Sequence, residues 1–300
     1  MKFEGIYTPA ITPLSVDGSI DKAAFAEVLE YLVASKVHGV IIGGSTGEYY
    51  AHTALERIEL AAQAKDVLNG RLPLIVGTGG IRTEDAMAFA SHAKEIKADA
   101  LLVGTPPYAL PTQQEIALHV KAVDAAAGLP IMLYNYPGRM GVSMGEAFFD
   151  AVADVNNIVA IKESSGDMAQ LHRLATQRPN IQLSCGWDDQ ALEFFAWGAQ
   201  SWVCAGSNFI PREHVALYEA CVIEKNFDKG RKIMAAMMPL MDFLEAGKFV
   251  QSIKHGCALN GLSTGGVRKP LHDLDAPEKQ ELERVITGLK RTIAQITGGA

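Results

Sequence analysis

The chain has 300 residues, of which 48% are hydrophobic, and its formal net charge is −7 at pH 7. This acidic balance argues against nucleic acid as a partner, because proteins that bind nucleic acids usually present a basic stripe. The sequence lacks an uninterrupted apolar run of about 18 residues, so it predicts no membrane span, and residues 1–20 lack a signal-peptide pattern. The four cysteines are widely spaced, which is typical of reduced thiols in a cytoplasmic protein.

Short apolar segments rich in β-branched residues alternate along the chain with patterns of helical spacing. Such segments are typical of buried strands, and the predicted strands cover residues 6–11, 39–43, 72–76, 99–103, 130–135, 158–162, 181–185 and 201–204. The predicted helices between them cover residues 22–35, 53–68, 83–97, 112–127, 143–153, 167–177 and a segment that ends near residue 197. Asp21 and Thr83 are predicted N-caps, because their side chains can accept a hydrogen bond from a helix N-terminus.

The order of these elements predicts the fold class. Strand–helix alternation implies a parallel sheet, and eight units in one series favour closure into a (β/α)8 TIM barrel over an open doubly wound sheet. No GxGxxG motif follows the first strand, so the signature of a dinucleotide-binding fold is missing. We therefore predict a barrel over residues 1–225 and a C-terminal helical region over residues 226–300, packed on the barrel.

In a barrel of this type the active site lies at the carboxyl ends of the strands. None of the eight histidines falls at a predicted strand end and no HExxH motif occurs, which disfavours a divalent-metal mechanism. Pairs of carboxylates are also scarce there, which disfavours glycosidase chemistry. The residues collected at these ends are Ser45, Thr46, Tyr108, Tyr134, Lys162, Gly186, Asp188, Gly206 and Ser207.

Lys162 follows an apolar segment, and by itself it allows two interpretations. The amine could extend into water, as lysines usually do, or an apolar site could lower its pKa so that it acts as a nucleophile. One amine, two phenols and two hydroxyls at one barrel face suit carbonyl chemistry through a Schiff base, with Tyr134 carrying protons and Ser45 and Thr46 relaying them. Taken singly, Tyr134 is also compatible with an ordinary strand-end aromatic, and Ser45 and Thr46 with turn residues.

Five motifs carry a resemblance to a known family, namely GGSTGE at 43–48, YNYP at 134–137, IKESSG at 161–166, GWDD at 186–189 and VRKPL at 267–271. In this order and spacing the chain resembles the pyruvate-dependent lyases that include dihydrodipicolinate synthase and N-acetylneuraminate lyase. The resemblance implies a barrel with C-terminal helices, a homotetramer, a Schiff-base lysine at Lys162 and a proton-transfer phenol at Tyr134. It implies no cofactor, because the substrate itself forms the covalent imine.

The resemblance extends to the substrates. It implies that Ser45 and Thr46 hold the carboxylate of pyruvate and relay protons, that Gly186 and Ser207 line the substrate, and that Tyr108 reaches into a partner's site. We expect the neighbouring Asp188 and Gly206 to contribute to the same pocket.

Arg139 follows the YNYP turn, where the synthase places an arginine that grips the carboxylate of its aldehyde substrate. A guanidinium can bind a carboxylate bidentately, so Arg139 predicts an acidic aldehyde partner, although a solvated loop arginine is the alternative. Ser45 stands where the synthase usually has a threonine. A catabolic aldolase or dehydratase acting on a 2-oxo-3-deoxy sugar acid, an enzyme like N-acetylneuraminate lyase, and a non-catalytic barrel that binds a small carboxylate therefore remain open.

Overall fold

In the computed structural model, which describes residues 1–298, eight parallel strands close into a barrel in chain order. The last strand pairs with the first, so the sheet has no free edge. The predicted (β/α)8 fold is confirmed. The strands are β1 (Gly5–Pro9), β2 (Gly39–Ile42), β3 (Leu74–Gly77), β4 (Ala100–Gly104), β5 (Ile131–Asn135), β6 (Ile158–Glu163), β7 (Gln182–Cys185) and β8 (Ser201–Val203).

Helices connect consecutive strands of the barrel. They are α1 (Lys22–Ala34), α2 (Ala54–Leu68), α3 (Thr83–Glu95), α4 (Gln113–Ala127), α5 (Pro137–Met140), α6 (Glu146–Ala151), α7 (Met168–Gln177) and α8 (Ala191–Ala196). Asp21 caps α1 as predicted, because its carboxylate accepts a hydrogen bond of 2.9 Å from the Ala24 N–H.

Two local predictions are wrong, each because a side chain from another element intervenes. Thr83 is the first residue of α3 and not its cap; its hydroxyl lies 3.0 Å from Nδ1 of His119, a residue of α4. The helix predicted from residue 143 begins only at Glu146. Its start is delayed because the Met144 N–H donates a 3.0 Å hydrogen bond to the side chain of Asn135, at the end of β5.

The hydrophobic core has two layers, as expected for parallel strands that are buried on both faces. Alternate strand residues point into the barrel, where Ile41, Ile75, Met132 and Ala160 pack together. The residues between them point outward and pack against the helices. Because side chains fill the barrel interior, open space for a ligand is confined to its ends.

The chain continues beyond β8 with helices only. α9 (Pro211–Tyr218) runs into a π-helical segment (Glu219–Ile223) and completes the outer ring, and α10 (Phe227–Glu245), α11 (Phe249–Leu259) and α12 (Ala276–Thr297) are additional to it. These three helices share one continuous hydrophobic core with the barrel. The division at residue 225 therefore stays a prediction, and residues 299 and 300 of the predicted region lie outside the described residues. No helix within residues 1–298 combines the length and hydrophobicity that crossing a bilayer requires.

Candidate active site

A cavity opens at the carboxyl ends of the strands. Its wall combines residues from the barrel with residues from the first two additional helices. The predicted site residues that line it are Ser45, Thr46, Tyr134, Arg139, Lys162, Gly186 and Asp188.

Lys162 projects from β6 into the barrel because side chains alternate along a strand. Ala160 belongs to the interior layer and Ile161 to the outer one, so Lys162 faces inward again. Its side chain is buried, with 9% exposure, and Nζ lies 4.2 Å from the centroid of the Tyr134 ring. This position does not fit the solvated interpretation.

The burial of Lys162 changes its protonation. Desolvation lowers the pKa of the amine to about 8, although the negative charge of Asp188 acts in the opposite direction. Burial penalises the charged form because water no longer stabilises it. With this pKa, about a tenth of the amine is neutral at pH 7, and the neutral amine is the nucleophilic form.

Tyr134 faces the same way as Lys162, because the two residues are register partners on neighbouring strands. Its hydroxyl is desolvated, which raises the pKa of Tyr134 to about 12, and the charge of Arg139 and a hydrogen bond with Ser45 partly oppose this rise. The phenol is therefore protonated at neutral pH. It can donate a proton to a reacting oxygen and can then be reprotonated through Ser45.

Ser45 and Thr46 lie in a single 3-10 turn (Ser45–Gly47) that follows β2. Gly47 allows this turn to approach the barrel, since a Cβ atom at Gly47 would lie 2.9 Å from the carbonyl oxygen of Ala10. The hydroxyl of Thr12 donates a 2.9 Å hydrogen bond to the Gly47 carbonyl. The turn is thus held against the chain that leaves β1, with Ser45 and Thr46 at the cavity wall.

Asp188 is a carboxyl group in the cavity wall whose charge acts on Lys162. It is 8% exposed, and it accepts a 2.8 Å hydrogen bond from the indole N–H of Trp202. Desolvation raises the pKa of Asp188 to about 7, while the Trp202 hydrogen bond and the charge of Lys162 lower it. Burial therefore shifts both groups toward neutrality, and the charge of a bound substrate can move a proton between them.

Gly186 lets the chain that follows β7 approach β6 beside the lysine. A Cβ atom at Gly186 would clash with Oγ of Ser164, and it would lie 2.6 Å from Cγ and 2.9 Å from Cε of Lys162, closer than carbon atoms can pack. A glycine is required here so that the lysine side chain can run along the backbone of the next strand.

Three predicted site residues do not line the cavity of the single chain. Tyr108 is 89% exposed and has a φ of 72°. Ser207 is fully buried; its hydroxyl donates to the Cys204 carbonyl at 2.6 Å and lies 2.7 Å from Oγ1 of Thr8. A Cβ atom at Gly206 would lie 2.7 Å from the His214 ring, so Gly206 faces the outer helices.

Several residues of the cavity were not predicted. Tyr136 and Trp187 stand inside the quoted motifs, and their rings meet edge to face at 6.0 Å between centroids. Glu245 and Phe249 come from the end of α10 and the start of α11, and the Arg139 guanidinium lies 5.6 Å from the Phe249 ring centroid. Tyr136 and Trp187 could have been found because they lie close in sequence to predicted site residues. No local sequence pattern indicates Glu245 or Phe249.

The polar side chains that line the cavity supply an amine, a guanidinium, hydroxyls and carboxyl groups. Within the described residues, no three His, Cys, Asp or Glu side chains are grouped so that they could hold a metal ion.

Comparison with known proteins gives a consistent result. The model of the Dihydrodipicolinate synthetase family matches residues 2–289. The 4-hydroxy-tetrahydrodipicolinate synthase of Exiguobacterium sibiricum is 35% identical over 270 residues, which cover 90% of this chain and 92% of the relative. The solved structure of the same enzyme from Methylacidiphilum fumariolicum SolV superposes with a TM-score of 0.92 at 28% identity, covering 99% of both chains.

A third similar protein is YagE, a prophage protein of the dihydrodipicolinic acid synthase family from E. coli K12, solved in complex with pyruvate. It superposes with a TM-score of 0.91 at 28% identity and covers 97% of this chain and 99% of its own.

The family match identifies this barrel as a lyase of the class I aldolase type. The chain belongs to the dihydrodipicolinate synthetase family. The predicted family and the predicted lyase function are confirmed, in preference to a non-catalytic carboxylate-binding barrel.

Proposed function

We propose that Lys162 forms an imine with pyruvate and that the resulting enamine adds to an acidic aldehyde, as in 4-hydroxy-tetrahydrodipicolinate synthase. The observation that carries this proposal is the buried Lys162 amine, whose pKa is lowered to about 8 beside the protonated phenol of Tyr134. The similar structure of YagE in complex with pyruvate supports the choice of 2-oxo acid.

The steps follow from the groups in the cavity. The neutral amine attacks the carbonyl carbon of pyruvate. Its two N–H protons pass, with Tyr134 as the relay, to the carbonyl oxygen, which leaves as water, and the imine forms. A proton then moves from the methyl carbon to the imine nitrogen and gives an enamine, whose carbon attacks the aldehyde carbon while the N–H proton passes to the aldehyde oxygen. Hydrolysis of the new imine releases the product and the free lysine. The electron pair that forms the carbon–carbon bond comes from pyruvate, so the proposed reaction uses no cofactor.

The cavity wall carries groups that suit two anionic substrates. Ser45 and Thr46 supply hydroxyls for the carboxylate of pyruvate, in agreement with the family resemblance. Arg139 lines the same cavity, with its guanidinium 5.2 Å from the Tyr136 ring centroid, and a guanidinium can bind a second carboxylate bidentately. Ser207 and Gly206, which lie behind the wall, would act by supporting Ala205 at the cavity.

We also propose a homotetramer in the cytoplasm. Free, buried thiols at all four cysteines suit a reducing compartment. The exposed Tyr108 suits the role that the resemblance implies, in which it reaches into the site of a neighbouring copy. There we propose that its hydroxyl joins the proton relay.

The decisive experiment is to trap the imine. Borohydride reduction in the presence of pyruvate, read by peptide mass spectrometry, should add the mass of the reduced pyruvate adduct at Lys162, while Lys162→Ala should bind no pyruvate covalently and lose turnover. An unmodified Lys162 at saturating pyruvate would contradict the proposal.

A substrate panel then decides the second substrate. We expect turnover of pyruvate with aspartate semialdehyde to exceed turnover of N-acetylneuraminate and of 2-oxo-3-deoxy aldonates, because Arg139 offers a site for a carboxylate. Little activity with the semialdehyde and efficient cleavage or dehydration of an aldonate would instead identify a catabolic enzyme.

A further inference from the structure

A buried ion pair lies behind the turn that carries Ser45 and Thr46. Glu48 ends this turn and is 0% exposed, and Lys254 of α11 is 2% exposed. Oε2 of Glu48 lies 2.6 Å from Nζ of Lys254. Neither residue lines the cavity, and neither takes part in the proposed reaction.

The pair connects the turn to the C-terminal part of the chain. Nζ of Lys254 donates a 2.7 Å hydrogen bond to the carbonyl oxygen of Gly266. The second carboxylate oxygen of Glu48, Oε1, accepts a 2.9 Å hydrogen bond from the backbone N–H of Arg268. One side chain of the turn is thus held by two separate C-terminal segments.

The backbone at Glu48 also depends on these contacts. Its φ is 57°, in the left-handed region that residues with side chains rarely adopt, so surrounding contacts must maintain it. The Glu48 N–H donates to the Ser45 carbonyl at 3.1 Å and closes the turn. A shift of the Glu48 side chain would therefore be transmitted directly to Ser45 and Thr46.

Stability alone does not account for a charged pair at this place. Removing two charges from water costs about as much as their attraction returns, so apolar side chains of similar size could stabilise the same contact equally well. A buried pair does impose defined distances and directions on the groups that it joins, and a substrate-binding turn requires defined positions.

We propose that the Glu48–Lys254 ion pair is a positioning device for the pyruvate subsite: it holds Ser45 and Thr46 where their hydroxyls meet the substrate carboxylate. This inference rests on the proposed function, and it extends that function to residues of α11 and of segment 264–268. Glu48 and Lys254 are positioning residues because they act through the turn.

Trapping with pyruvate alone tests the inference without knowledge of the second substrate. The variant Glu48→Gln/Lys254→Met removes both charges and keeps the approximate size of both side chains. We expect the pyruvate concentration that gives half-maximal borohydride trapping to rise about tenfold. The trapped fraction of Lys162 at saturating pyruvate should stay unchanged, because the nucleophile is intact.

A second variant and a control separate positioning from stability. Glu48→Asp keeps the charge but is one methylene too short to reach both partners. The pyruvate concentration for half-maximal trapping should therefore rise in this variant as well. Glu48→Asp thus tests the inference even if the double variant does not fold. Ile253→Ala removes a fully buried side chain from the same helix and leaves the ion pair in place. It should lower the thermal midpoint and leave the half-maximal concentration unchanged.

Two results would overturn the inference. One is an unchanged half-maximal concentration in Glu48→Asp or in the folded double variant. The other is an equal rise in Ile253→Ala, which would show that loss of stability explains the effect. A wild-type protein that yields no trapped imine would instead contradict the proposed function, and with it this inference.

Discussion

The amine of Lys162 and the carboxyl group of Asp188 share one desolvated site. Burial lowers the pKa of Lys162 to about 8, and the negative charge of Asp188 limits that decrease. Burial raises the pKa of Asp188 to about 7. In the proposed reaction the neutral amine is the attacking form, so the charge state of Asp188 would control how much nucleophile is present.

This coupling predicts the pH dependence of imine formation. The rate of trapping at saturating pyruvate should rise as the pH increases through about 8, well below the ordinary lysine value of 10.5. Asp188→Asn keeps an acceptor for the Trp202 N–H but removes the negative charge that favours the ammonium form. Its midpoint should therefore move to lower pH.

The matched control is Asp189→Asn, which changes a neighbouring carboxyl group that does not line the cavity and should leave the midpoint in place. A wild-type midpoint near 10.5, or a midpoint that rises in Asp188→Asn, would contradict this account of the electrostatics.

The backbone that follows β7 packs against Lys162 and leaves no room for a side chain. A Cβ atom at Gly186 would press on Oγ of Ser164 and on Cγ and Cε of Lys162. Gly186→Ala should therefore displace the amine and lower the rate of imine formation, and overpacking should reduce the free energy of unfolding by about 1–3 kcal/mol. Trapping rates and urea denaturation measure the two effects.

Gly288→Ala in α12 provides the contrasting substitution. An added Cβ atom at Gly288 meets no other heavy atom within 4 Å among residues 1–298. Alanine should stabilise this helix by about 0.5–1 kcal/mol and leave trapping unchanged. If Gly186→Ala were trapped at the wild-type rate, Lys162 would not need the close approach of the backbone at residue 186.

The assembled molecule should differ from the single chain at the β4–α4 loop and at the start of α4. Tyr108, Leu110 and Leu118 are 89%, 60% and 58% exposed in the single chain, and a second copy could cover them. We expect sedimentation equilibrium to give the mass of a tetramer of 32.2 kDa chains. Tyr108→Phe should keep that mass but lower turnover, because it removes a hydroxyl from the proposed relay.

Tyr31→Phe removes a hydroxyl that does not line the cavity and should preserve both mass and turnover. A monomer at micromolar concentration, or full turnover by Tyr108→Phe, would contradict a shared site.

The local pattern of the sequence determines most of the fold. The strands are recognisable as short apolar segments and the helices by their period of 3.6 residues, and both patterns are properties of short segments. Their order alone indicates a barrel, which places Ser45, Tyr134 and Lys162 at one face before any contact is known. Caps such as Asp21 are equally local, since the side chain and the helix N-terminus are three residues apart.

Only the tertiary structure decides what depends on residues distant in the chain. The Thr83 hydroxyl contacts the His119 ring of α4 and does not cap α3. Glu245, at the end of α10, lines the cavity. The sequence by itself therefore determined the barrel and the residue types at its catalytic face. The pKa of Lys162 and the burial of Glu48 against Lys254 were decided by tertiary packing, because desolvation and electric fields arise from atoms that folding brings together.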